Sequence, residues 1–349
     1  MAQERGAQMA AEIAEQPESL SRLLTQESIG SVRALARTIR DRNPRFVLLA
    51  ARGTSDHAAL YAKYLVEVSL GLPAGLASPS TMTAYGARPD LSDVLLLTVS
   101  QSGGSPDLLE TVRTARAGGA TTLAVTNSPS SPLAEEAELQ LDVQAGPELA
   151  VAATKSYSSQ LLALWLLIDA FRGGDASDAR AIPQAAQALI ARREEVTALA
   201  TRFRFTDRLV TTGRGYSYPT AREAALKLME TSYVAAHAFS GADLLHGPLA
   251  MIDHDHPVIA IVPDGRGAEA MQPVLERLAD RGADVTVVGG QESIARGTVG
   301  LDVGFPGISE ELHPVIDIIP LQLLALDMTL ARGFDPDRPR GLAKVTETR

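Results

Sequence analysis

The chain repeats itself at a long period. "FVLLAARGTS", ending at Ser55, aligns with "RLVTTGRGYS", ending at Ser217, an offset of 162 residues. "AGGATTLAV" (117–125) answers "DRGADVTVV" (280–288), "LDV" recurs at 141–143 and 301–303, and "QLLAL" at 160–164 and 322–326, with offsets between 160 and 163 throughout. Self-similarity this regular sets the architecture before any local reading, and it predicts two copies of one domain. The seam falls near "RGGDASDARAIPQ". We therefore expect an N-terminal helical segment over 1–30, a first domain over 31–175, a second over 190–333 and a tail over 334–349.

Within each copy, short apolar runs alternate with longer amphipathic ones. "RFVLLAA", "DVLLLTVS", "TTLAVT" and "LQLDV" are of strand length and too continuously apolar for half-exposed strands, which suits a parallel sheet covered on both faces. Between them, "SDHAALYAKYLVEVSLG" and "PDLLETVRTARAGG" space their apolar residues by three and four and end on glycine, as amphipathic helices do. The expected fold class is α/β: two tandem doubly wound parallel-sheet domains, three-layer sandwiches of the flavodoxin-like or Rossmann-like kind. In such folds ligands bind beyond the carboxyl ends of the strands, and both "ARGTS" and "SQSGGSPD" fall at that edge.

Charge and composition narrow the partners. With 42 acidic against 32 basic residues, a net charge of -10 and no local Lys/Arg cluster, the chain lacks the footprint that nucleic acid or an anionic membrane requires. No cysteine is present, which removes disulfides, thiolate metal sites and thiol nucleophiles together. The start "MAQERGAQMAAEIAEQPESL" reads as neither a signal nor a transit peptide, and no apolar run is expected to reach membrane-spanning length. The expected location is the cytoplasm.

"SQSGGSPD" lies between a strand and a helix expected to start near Pro106, where hydroxyls and backbone N–H groups can meet an anion at the helix N-terminus. Ser100, Ser102 and Ser105 offer donors without bulk, and glycines at 103 and 104 let the backbone approach closely, so a phosphate monoester fits. Thr54 and Ser55 add hydroxyls from the neighbouring loop. Ser and Gly are equally ordinary turn and cap residues, and composition alone leaves both readings open. Neither a G-x-x-x-x-G-K-[ST] nor a G-x-G-x-x-G pattern follows a strand, which argues against a nucleoside triphosphate or dinucleotide. The second copy has "VPDGRGA" at this place, with Asp264 a poor neighbour for an anion.

Further along, "TAREAALKLMETSY" puts Lys227 and Glu230 on one helix face, either as a surface ion pair or as a carboxylate desolvated by Leu226, Leu228, Met229 and Val234. His246 in "DLLHGPLAM" sits at a turn. His254 and His256 in "DHDHP" have acidic neighbours and no third ligand, so a solvated turn is expected there and not a metal site. Lys344 lies within "GLAKV", an apolar anchor that can dock a tail otherwise expected to be disordered.

"RGTSDHAA", "VSQSGGSPDLLE", "ELAVAATKSYSSQLLAL", "GRGYSYPTAREAALKLMETSY", "GADLLHGPLAMI" and "DPDRPRGLAKVTET" together resemble the sugar-isomerase (SIS) domain family, in the branch formed by the isomerase half of the glucosamine-6-phosphate synthases and by SIS-type glucosamine-6-phosphate deaminases. The resemblance runs in order from about residue 30 to the end. It implies a hexose 6-phosphate substrate held by Gly53, Thr54, Ser55, Ser100, Gln101, Ser102, Ser105, Val151 and Ala343. It implies Glu230 as the base that moves a proton between C1 and C2, Lys227 as its orienting partner, and Lys344 as a contact to the open-chain sugar, with a Schiff base as one form of it. It also implies that His246 assists ring opening in the site of a neighbouring subunit, hence a homodimer. Ser105 stands where the synthases usually have threonine, which keeps the hydroxyl, and Ala153 where they have serine, which loses one.

Since the sequence shows neither a glutaminase domain nor a cysteine, use of glutamine is not expected. The implied reaction is deamination of glucosamine 6-phosphate to fructose 6-phosphate and ammonia, without metal or organic cofactor, because an aldose acidifies its own C2–H. A lyase or dehydratase acting on N-acetylglucosamine 6-phosphate, a fructosamine-6-phosphate deglycase and a non-enzymatic sugar-phosphate sensor remain open alternatives.

Overall fold

The computed structural model describes residues 4–344. In the first repeat, β1 (Phe46–Ala50), β2 (Ala74–Leu76), β3 (Val94–Ser100), β4 (Thr121–Thr126) and β5 (Leu139–Asp142) form one sheet in the order β2-β1-β3-β4-β5, every neighbouring pair parallel. The second repeat forms β6 (Arg208–Gly213), β7 (Ala235–Ser240), β8 (Pro257–Val262), β9 (Asp284–Gly289) and β10 (Val299–Asp302) in the order β7-β6-β8-β9-β10, again all parallel. The two orders are the same topology, and helices flank each sheet in a three-layer α/β arrangement, as the duplicated pattern predicts. Covered on both faces, the central strands are apolar along their length: Leu95–Ser100 of β3 and Val258–Val262 of β8 are buried without a break.

Each repeat ends on a predominantly apolar helix that is buried on nearly all sides, its few polar side chains included. In the first this is Lys155–Phe171, buried from Lys155 through Asp169; in the second it is His313–Ala331. The expectation that no run reaches membrane-spanning length needs correcting. His313–Ala331 is long and apolar enough by length and composition, and it is the core helix of its repeat, with 89% of its apolar window buried.

Two helices read as continuous from their spacing instead widen at matching places. Thr54–Leu65 runs into a π turn, Val66–Leu70, and Ser217–Lys227 into another, Leu228–Ser232. Both turns end on a left-handed residue, Gly71 (φ 63) in the first repeat and Tyr233 (φ 56) in the second. A left-handed tyrosine is uncommon and needs support from its surroundings. Here Phe334 packs edge-on at 4.9 Å, the Arg340 guanidinium stacks 4.1 Å from the ring centroid, and the Arg340 backbone N–H donates to the tyrosine hydroxyl at 2.9 Å.

The described residues divide into two compact units, one of residues 18–148, 155–180 and 343–344, the other of residues 4–17, 149–154 and 181–342. The segments expected as a separate N-terminal piece and a separate tail are each divided between them. Asp337 accepts the backbone N–H groups of Gln8 and Met9, at 3.0 and 2.9 Å, which fixes the helix Ala7–Ala14 within the second repeat's unit. Arg22 donates to the carbonyls of Gln144 and Ala145 and belongs with the first.

Candidate active site

Strand order reverses between β1 and β3, so the loops that follow them diverge and leave a crevice, the usual ligand position in this topology. The first loop delivers Gly53 (φ 55) as the N-terminal flank of the helix Thr54–Leu65, with Thr54 and Ser55 in its first turn. Gln160 Nε2 donates to Ser55 Oγ at 3.0 Å, which leaves the serine's own proton to be donated elsewhere. In the second loop Ser100 Oγ accepts the N–H of Gly103 at 3.1 Å and Ser102 Oγ accepts that of Gly104 at 3.3 Å. Two of the loop's backbone donors, Gly103 and Gly104, are thus engaged by its own hydroxyls, whose protons remain to be donated. Ser105 gives its hydroxyl to Asp107 at 2.6 Å. Gln101 holds the loop through its carbonyl, which accepts the Asn127 N–H at 3.2 Å.

Gly103 has φ 63, and a Cβ there would lie 2.0 Å from Ser131 Oγ, so this turn admits glycine alone. Asp107 is buried and pairs with Arg52, Nη2 to Oδ2 2.6 Å. Arg52 and Gln160 were not singled out from the sequence. The arginine is visible in "ARGTS", whereas the glutamine lies 105 residues from the serine it orients.

The second repeat closes the equivalent position against anions. At the first turn of the helix Arg266–Asp280, the backbone N–H groups of Arg266 and Gly267 donate to the Glu310 carboxylate at 2.9 and 2.7 Å. The chain's own anion occupies the amides that would attract a phosphate. A cavity of about 670 Å³ at this sheet edge is lined by four carboxylates, Asp264, Glu269, Glu292 and Asp302, against Arg296 and His313, an excess of negative charge unfavourable to phosphate.

What the second repeat carries instead is a carboxylate on its π turn. Glu230, 24% exposed at its side chain, accepts from Lys227 Nζ at 2.5 Å. Lys227 is buried, and its ammonium also lies 3.4 Å from Glu223, whose side chain is fully buried. Burial disfavours the ammonium, but the two carboxylates outweigh it and hold Lys227 above the ordinary lysine range. A surface ion pair, one of the two readings open from spacing, is therefore not what forms. Buried hydroxyls brace the turn: Ser232 and Thr329 are 2.7 Å apart, and Thr329 donates to Thr231 at 2.9 Å. At the same offset of 162, the first repeat's π turn carries Val68, an exposed aliphatic residue that cannot move a proton.

His246 follows the short helix Gly241–Leu245 and precedes Gly247 (φ 137); it is exposed, and its ring makes no hydrogen bond or ion pair among the described residues. Lys344 donates from Nζ to Glu148 Oε2 at 2.8 Å, and Ala343 beside it is exposed. Val151 lies in the half-buried segment 149–154, where Glu12 accepts the N–H groups of Leu149 and Ala150. The solvated turn expected for the "DHDHP" histidines needs correcting at one of them. The His254 side chain is 80% exposed, but His256, directly before the buried strand β8, is 2% exposed, and burial lowers its pKa. Among the described residues no group of three or more His, Cys, Asp or Glu side chains is placed to hold a metal ion.

The family model for the SIS domain matches residues 42–170 and 203–332. A glutamine–fructose-6-phosphate aminotransferase (isomerizing) of Methanothermobacter thermautotrophicus is 36% identical over 344 residues, which is 96% of this chain and 56% of the relative. The chain thus spans about half the length of the curated relatives it matches. Among solved structures, a provisionally assigned phosphosugar isomerase from Silicibacter pomeroyi DSS-3 is 32% identical with a TM-score of 0.84, covering 94% of this chain and 99% of that one. A glucosamine-6-phosphate deaminase from Thermotoga maritima shares the fold, with a TM-score of 0.75 at 23% identity over 98% of this chain and 100% of that one.

Proposed function

The chain belongs to the SIS domain family, and on that premise we propose that it is an aminosugar-phosphate deaminase converting glucosamine 6-phosphate to fructose 6-phosphate and ammonia. The observation that carries this reading is the division of labour between the repeats. One has hydroxyl-rich loops at its switch point, and the other has its anion position filled by Glu310 and a carboxylate braced by a buried lysine on its π turn. Ser55, Ser100 and Ser102 donate to the phosphoryl oxygens. Ser105, Gln101, Thr54, Gly53, Val151 and Ala343 shape the rest of the sugar's surroundings.

In the open-chain aldose the C1 carbonyl acidifies the C2–H. Glu230 removes that proton while the C1 oxygen takes one from solvent, leaving an enaminol with a C1=C2 double bond, and the Glu230 carboxyl then returns its proton to C1. The C2 iminium so formed adds water and expels ammonia, which leaves the C2 ketone. Lys227 keeps the Glu230 carboxylate aimed, and Lys344 supplies a cation to the open-chain sugar. A glucosamine-6-phosphate deaminase is among the proteins that share this fold, which puts the free amine first among the leaving groups to test. The exposed His246 ring supports a homodimer in which each chain completes its neighbour's site for ring opening; a monomer in solution with full activity would remove this part.

The experiment is a substrate panel. Ammonia release should be rapid from glucosamine 6-phosphate, very slow from unphosphorylated glucosamine, and absent from N-acetylglucosamine 6-phosphate. Turnover confined to the N-acetyl sugar would replace the deaminase with a lyase, and amino-acid release confined to fructosamine 6-phosphates would replace it with a deglycase.

A further inference from the structure

We propose that Glu148 is the positioning residue for Lys344, the group that clamps the C-terminal lysine onto the first repeat's core helix; the catalytic consequence rests on the deaminase reading above. The Glu148 side chain is fully buried and is gripped from two sides. On one side is the first turn of the helix Lys155–Phe171, where Ser156 donates its backbone N–H to Oε1 at 3.0 Å and its hydroxyl to Oε2 at 2.7 Å. A carboxylate there gains from the positive end of the helix dipole as well as from the two bonds. On the other side Lys344 Nζ donates to Oε2 at 2.8 Å. Burial opposes ionisation of Glu148, but the lysine ammonium and the Ser156 donors outweigh it and hold the carboxyl below its usual range.

The same helix fixes a second group of the site. Gln160, four residues beyond Ser156 and so on the same face about one turn along, donates to Ser55 Oγ at 3.0 Å. One buried, rigid rod therefore sets both a phosphate-loop hydroxyl and, through Glu148, the tail lysine. A lysine on an irregular segment would otherwise be solvated and variable in position. Clamped by a buried carboxylate, its ammonium is held ready at a defined place before substrate arrives.

Two readouts on the full-length chain test the clamp. The first, on unliganded protein, is the rate at which acetic anhydride acylates Lys344, followed by peptide mass spectrometry; it does not depend on turnover. Glu148→Gln should raise that rate at least fivefold, and Glu148→Asp should raise it less. The second is kinetic: Glu148→Gln should lower kcat for glucosamine 6-phosphate by on the order of tenfold to a hundredfold, with KM nearly unchanged. In a Lys344→Met background the same change should cost nothing further, because the two residues act as one unit. Unaltered Lys344 acylation in Glu148→Gln, or losses from the two substitutions that multiply, would overturn the proposal. Should Glu148→Gln fail to fold, the acylation rate of Glu148→Asp decides alone, with a wild-type rate counting against the clamp. Wild-type protein without deaminase activity but with acylation responding to Glu148 would refute the proposed reaction and leave the clamp standing.

Discussion

Glu230→Gln should lose on the order of a hundredfold or more in kcat while binding the sugar phosphate nearly as well as the wild type. The substitution preserves size and hydrogen-bonding reach, so Lys227 Nζ keeps an acceptor where it now meets the carboxylate at 2.5 Å. It removes only the capacity to take the C2 proton. Binding should survive because the groups assigned to the phosphate, Ser55, Ser100 and Ser102, belong to the other repeat's loops. Stopped-flow kinetics and calorimetric titration on the same preparation separate the two effects. A variant within threefold of wild-type kcat would remove Glu230 from the mechanism.

Lys227→Met should cost both activity and stability. Glu223 is fully buried with the lysine ammonium 3.4 Å away, and removing that charge strands a carboxylate in the interior, which costs about 3–5 kcal/mol. Thermal melts followed by circular dichroism should show Tm lower by on the order of 10 °C. Glu223→Gln added to Lys227→Met should recover much of the Tm and none of the kcat, since the stranded charge is relieved while Glu230 still lacks its partner. The pH dependence follows from the direction of the lysine shift. A cation whose folded pKa lies above its ordinary 10.5 contributes stability in full below that value and loses it only as pH rises through the folded pKa. The lysine itself therefore adds no pH dependence below about pH 10, but in Lys227→Met the stranded Glu223 takes up a proton as pH falls, so the gap in Tm should narrow from about pH 9 towards about pH 5. A Tm equal to wild type would mean that the buried trio is not the ion-paired structure described.

Features set by local pattern were legible in the sequence, and those set by long-range pairing were not. The offset of 162 between "ARGTS" and "GRGYS", the apolar runs of β3 and β8, and the position of "SQSGGS" at a strand end all follow from periodicity and turn chemistry. The π turns at Val66–Leu70 and Leu228–Ser232 were not legible, because apolar spacing of three and four reads straight through an inserted residue. Glu223 lies one helical turn before Lys227, so its spacing was a usable signal; nothing local told that the whole stripe faces inward. Glu148 and Lys344 are 196 residues apart and Glu310 is 44 residues from the amide of Arg266, separations at which no periodic pattern exists to read. The His256 burial was missed for a related reason, since "DHDHP" is polar in composition but its last histidine precedes a core strand.

The most direct measurement is turnover of glucosamine 6-phosphate in deuterium oxide, with ammonia quantified enzymatically and the sugar product examined by NMR. With Glu230 as the base of a deaminase, wild-type protein releases one ammonia per fructose 6-phosphate formed. The product carries solvent deuterium at C1 wherever the proton taken by Glu230 exchanges before its return, and Glu230→Gln abolishes both signals. Wild-type protein that binds the sugar phosphate yet shows neither ammonia release nor deuterium incorporation, and that Glu230→Gln leaves unchanged, would contradict this mechanism and make the chain a sugar-phosphate sensor.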